Sequence, residues 1–119
     1  MSEKHLVICS VIEGSFNNQN KKTLEQGIKH LYAQHIGRKV KSTVLWMDIP
    51  AGQAYQHGQA SSASTILAAM PNQLSSTKRS AFLYGVRDLW LGVTHCHANQ
   101  LVISAPDQDF AQQFLNESR

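Results

Sequence analysis

Apolar and small or polar residues alternate through "LVICSVI", residues 6–12, the period-two pattern of a β-strand with one buried face. Leu24, Ile28, Leu31 and Tyr32 then recur at helical spacing and form one apolar stripe. "STVLWMDI", residues 42–49, returns to strand character. The succession repeats further along: "STILAAM" at 64–70, a stripe of Phe82, Val86, Leu89, Trp90 and Val93, and "QLVISAP" at 100–106. Asn17 and Asn18 precede the first helix, and Ser75, Ser76 and Thr77 the second, where side-chain oxygens can accept from the free amides of a first turn. Pro50 and Pro106 stop strand pairing after each unit.

Sliding the chain by 58 positions without a gap sets Ile8 on Ile66, Lys21 on Arg79, Leu24 on Phe82, Gly27 on Gly85 and Ile28 on Val86. The same shift sets Leu31 on Leu89, Tyr32 on Trp90 and Val44 on Val102. The chain therefore reads as one domain, residues 1–119, built from two β-α-β repeats at about 5–49 and 63–107 with a linker at 50–62. A β-α-β unit forms a crossover with parallel strands, so two units predict an α+β fold: a four-stranded sheet with both helices on one face. "TVLWM" is apolar on both sides, as a strand is when its second face meets another subunit.

Charge and cysteine content narrow the function classes. The net charge of +3 comes from 11 basic and 8 acidic residues spread along the chain. There is no aromatic-interleaved basic stripe for nucleic acid, and small anions suit the surface better. No apolar run reaches the roughly 20 residues that span a bilayer, and "MSEKH" lacks a secretory leader, so a cytoplasmic, membrane-free protein is expected. Cys9 and Cys96 read as free thiols.

The order of elements fits both the ferredoxin-like and the tautomerase fold. The strand ending "VIEGS", the long helix after it and "DIPAGQAYQHG" after the second strand together resemble the tautomerase superfamily. That superfamily includes the 4-oxalocrotonate tautomerases, the cis-3-chloroacrylic acid dehalogenase group and macrophage migration inhibitory factor. The resemblance covers most of the chain. It implies a homotrimer, no cofactor, and a reaction on small 2-keto, enol or unsaturated acids in which an N-terminal proline moves the proton.

Anchored on Glu13-Gly14, that proline position falls on His5, behind Met1, Ser2, Glu3 and Lys4. The arginine that commonly follows the Glu-Gly turn is Ser15 here, and the mid-strand arginine of the short tautomerases aligns with Thr43. Neither replacement can grip a carboxylate bidentately. The expected pocket therefore has His5 and Tyr55 as candidate catalytic groups and Ser15, Thr43, His57 and Arg38 as candidate contacts to a small anionic metabolite. Imidazole is the side chain that ordinarily titrates near neutrality, so His5 is a candidate proton carrier, set against a solvated strand end. Tyr55 and His57 fit either a substrate-orienting turn or a packed hairpin. "THCHANQ" places His95 and His97 on one face if extended, but without a third ligand it reads as a polar loop, and no metal is expected. The alternative to a divergent isomerase or hydratase is a non-catalytic protein of the same fold that binds a metabolite or a partner.

Overall fold

The fold is described from a computed structural model covering residues 4–37, 41–50, 52, 55–56, 59–60 and 63–110. Strand β1 (Lys4–Ile12) leads into helix α1 (Asn18–His35) and strand β2 (Lys41–Ile49). A small antiparallel pair, β3 (Tyr55–Gln56) with β4 (Gln59–Ala60), lies inside the linker. The second unit is β5 (Ser64–Ala68), α2 (Ser76–Thr94) and β6 (Leu101–Ser104), the last preceded by a short 3-10 turn at Ala98–Gln100. Both helix starts are capped by the expected residue types. Asn17 accepts from the Asn20 amide at 2.7 Å, and Ser75 from the Lys78 amide at 3.3 Å. His95 ends α2 in a left-handed conformation (φ 58°), so "THCHANQ" is a helix end and turn, and His95 and His97 share no strand face.

The four long strands form one mixed sheet in the order β2-β1-β5-β6. β1 and β2 are parallel, as are β5 and β6, and the two units join through the antiparallel β1–β5 pair. One sheet face supplies Val7, Cys9, Val11, Ile66 and Ala68 to the core, and the helices cover it with Leu24, Ile28, Tyr32, Phe82, Val86 and Trp90, all buried. Among the described residues neither α1 nor α2 covers the opposite face. There Leu45, Met47 and Val102 are 48%, 54% and 46% exposed, the two-sided apolarity expected of β2.

The helices obey the gapless repeat, but the strands do not. Each buried helix triad, Leu24-Ile28-Tyr32 and Phe82-Val86-Trp90, is offset by 58. The buried strand positions Val7, Cys9 and Val11 instead match Ile66, Ala68 and Met70, an offset of 59. Two expected equivalences are thereby overturned. Ile66 is buried whereas Ile8 is only half-buried, and Val44 packs on the core whereas Val102 is exposed on the other face. The physical reason is the strand period of two: a one-residue slip exchanges the faces, while in a helix it is a modest rotation.

The helix pair keeps the internal symmetry closely. A Cβ on Gly27 would stand 2.5 Å from Leu89 Cδ2, and one on Gly85 would stand 2.8 Å from Leu31 Cδ2. Each glycine thus lets the other helix's leucine approach its backbone, and the pairs 27/89 and 31/85 run antiparallel.

Candidate functional site

His5 sits in β1 on the face turned to the helices and is only 2% exposed. Strand alternation explains this, because His5 continues the buried series Val7, Cys9 and Val11. The ring lies beside Tyr32 of α1, with centroids 6.0 Å apart at an interplanar angle of 32°. Tyr32 is itself edge-on to Phe82, at 5.2 Å, and its hydroxyl donates to the carbonyl of Ala69, just beyond β5. The reading of His5 as a solvated strand end is therefore corrected: the imidazole is part of the packed interior.

The other candidates do not gather around it within one chain. Thr43 pairs in register with Leu6 and is exposed, on the open face of the sheet, whereas His5 pairs with Ser42 and faces the helices. Ser15 is exposed in the turn after β1, where its amide bonds to the Ile12 carbonyl at 3.0 Å. Ile12 lies seven residue steps along the strand from His5, roughly 23 Å at about 3.3 Å per residue, so Ser15 can meet a His5 only across an interface between copies. Tyr55 pairs with Ala60 in the small hairpin. The side chain of Tyr55, and all of His57 and Arg38, lie outside the described residues.

Two clusters that sequence reasoning left in the core or on the surface stand out in the structure. In the first unit, Trp46 Nε1 donates to Glu25 Oε1 at 2.6 Å, and the Lys21 ammonium lies 5.6 Å from the centre of the indole ring. Lys21 also pairs with Asp48 at 3.1 Å. Trp46 stacks on Trp90, with ring centroids 5.9 Å apart. In the second unit, Arg79 donates to the Ala105 carbonyl at 2.8 Å and pairs with Asp107 at 2.5 Å. The signal for both was the Lys21–Arg79 match in the repeat. It identified the basic position but not its acidic partner, because the strands are shifted by one residue. Cys9 is fully buried, and burial first, then the Glu25 carboxylate, pushes its thiol from 9.0 up to about 12, which leaves it protonated and inert at neutral pH. Among the described residues no three potential metal ligands come together, and no helix is long and apolar enough to cross a membrane.

No protein-family model matches the chain, and no curated protein sequence matches it. Solved structures do resemble its fold. The native protein Ps01740 is 21% identical with a TM-score of 0.82, over 86% of this chain and 92% of that one. An asymmetric trimer of wild-type fused 4-OT is 15% identical with a TM-score of 0.78, over 86% and 85%. N1, a member of the cis-3-chloroacrylic acid dehalogenase family, is 12% identical with a TM-score of 0.77, over 86% and 73%. Doubled β-α-β units forming a four-stranded sheet, here ordered β2-β1-β5-β6, with both long helices on one face are what the sequence expectation described, and with these likenesses the chain has the fold of the tautomerase superfamily.

Proposed function

We propose that this is a trimer-forming protein of the tautomerase fold that has lost the proline-dependent reaction on small 2-keto, enol or unsaturated acids and serves as a binding protein. One observation carries the reading: the position that the resemblance gives to the catalytic proline holds His5, which is 2% exposed and faces the helix layer. A general base must come within about 3 Å of the proton it takes, and a ring enclosed by β1 and Tyr32 offers a substrate no such approach. The absence of an arginine at Ser15 and Thr43 points the same way, since neither hydroxyl supplies a charge to a carboxylate. Assembly is supported by the open apolar sheet face, and by the trimers formed by the fused 4-OT neighbours.

The test is a keto–enol assay with phenylenolpyruvate or 2-hydroxymuconate on the intact protein and on His5→Ala. The expected result is no turnover above buffer in either protein, together with a lower Tm for the variant because a buried ring is removed. Turnover that disappears in His5→Ala would overturn the loss of activity. A stable monomer at micromolar concentration by light scattering would overturn the trimer.

A further inference from the structure

The second unit has a groove between its helix and its edge strand, and the positions that line it differ in chemistry from their counterparts in the first unit. In the second unit a groove of about 330 Å³ is lined by Ser80, Leu83, Tyr84 and Arg87 of α2 and by Leu101 and Ile103 of β6. Offsets of 58 for the helix and 59 for the strand give the first-unit counterparts as Lys22, Glu25, Gln26, Lys29, Ser42 and Val44. The counterpart is therefore polar along its helix wall and carries a carboxylate, Glu25, already bonded to Trp46. The second unit has replaced Glu25 by Leu83, Gln26 by Tyr84 and Ser42 by Leu101, on a groove that remains open. An open apolar groove on an exposed edge costs solubility and gains the fold nothing unless something fills it.

We propose that the groove between α2 and β6 binds a small amphipathic carboxylate, with its apolar body against Leu83, Leu101 and Ile103 and its carboxylate on Arg87. The volume suits a small molecule rather than a protein segment with a core of its own. Among the described residues Arg87 is the only charged group of the lining and makes no hydrogen bond or ion pair, so its guanidinium fork is available for bidentate recognition. No carboxylate of a described residue lines this groove, in contrast with Glu25 at the corresponding position of the first unit. The groove lies on the helix side of the sheet, so the proposal is independent of what happens to His5 and of how the open sheet face is covered.

The experiment is a heteronuclear NMR titration of the intact isotope-labelled protein with 4-phenylbutyrate, and in parallel with its neutral amide. Saturable shifts at Leu83, Leu101 and Ile103 are expected with the acid. Arg87→Gln, an exposed substitution that leaves the fold intact, should weaken binding about tenfold, the effect of one charge-assisted contact. The amide should bind wild type about as weakly as the acid binds the variant. Three results would each overturn the proposal: no saturable shift at these residues in the millimolar range, equal binding of acid and amide, or groove signals that respond only to protein concentration, which would make a second copy the occupant.

Discussion

At the start of its first strand the amino-terminal unit buries His5 beside Tyr32, while the carboxyl-terminal unit has Ser64 at the equivalent strand position and Trp90 at the equivalent helix position. Both strand residues are polar and enclosed, at 2% and 5% exposure. A large ring on the strand goes with the smaller aromatic on the helix, and a hydroxymethyl goes with the larger, so the volume filled by each pair changes less than either residue does. The polar groups are treated differently. Tyr32 gives its hydroxyl proton to Ala69, whereas among the described residues the buried Trp90 Nε1 has no hydrogen-bond partner, and its indole is held by Phe16 and Trp46. The two units keep the same packing outline while the polarity of each end differs, so the buried imidazole of the first unit has no counterpart in the second.

The largest effects should come from the helix triads, where the comparison is between Leu24 and Phe82. Both are fully buried at equivalent positions, so Phe82→Ala should cost about 3–5 kcal/mol and Leu24→Ala about 2–5 kcal/mol in urea unfolding. Because the units share one core across β1–β5 and α1–α2, each variant should still unfold in a single transition. A biphasic curve for either would break the picture of one core and make the units separable.

Cys9 and its counterpart Ala68 differ only in having a titratable group, which makes pH the next probe. The folded state holds the Cys9 proton up to about pH 12, whereas an unfolded thiol releases it near 9.0. Stability from this group is therefore fully present below about pH 9 and falls by roughly 1.4 kcal/mol per pH unit above it. Cys9→Ala, which copies the second unit, should flatten that slope between about pH 9 and 11 when urea midpoints are compared with wild type. An unchanged slope would show that the thiol is not the titrating group.

Much of this architecture could be read from the sequence because helices tolerate what the repeat demanded. The apolar stripes beginning at Leu24 and Phe82 marked both helices, Asn17 and Ser75 marked their starts, and the order of elements gave the sheet with its helices on one face. The strand equivalences were not legible. Ile8 and Ile66 match by residue type, yet alternation turns them to opposite faces, and no letter in the sequence reports a one-residue change in loop length. His5 escaped for a related reason: its place in the buried series of Val7, Cys9 and Val11 is visible, but a strand's first residue reads as frayed until the helix that covers it, through Tyr32, has been placed.

The glycine pair offers a finer comparison. Alanine gains about 1 kcal/mol over glycine in a helix interior, against roughly 1–3 kcal/mol for forcing extra volume into packed side chains. At Gly85 the new methyl would meet one end of Leu31 at 2.8 Å, with the other atoms at 3.5 Å or more, so a single rotation relieves it and Gly85→Ala should be near neutral. At Gly27 it would meet Leu89 Cδ2 at 2.5 Å, Cδ1 at 2.8 Å and Cγ at 3.2 Å, so the whole side chain must move. Gly27→Ala should therefore lose about 1–2 kcal/mol, and the loss should shrink when Leu89→Ala is added, a coupling that a double-mutant cycle reads directly.

The smallest effect should separate the two basic residues matched by the repeat. Lys21 pairs with Asp48, whose side chain is 48% exposed, so Asp48→Asn should cost no more than about 1 kcal/mol, and less as salt screens the pair. Arg79 pairs with Asp107 at similar exposure, but its guanidinium also donates to the Ala105 carbonyl, tying the chain after β6 to α2. Arg79→Met should therefore cost more than Lys21→Met, by roughly the 0.5–1.5 kcal/mol of a net hydrogen bond, and that excess should persist in high salt because a bond to a carbonyl carries no second charge to screen. Equal losses for Lys21→Met and Arg79→Met at every salt concentration would show that the second unit's arginine does no more than the first unit's lysine.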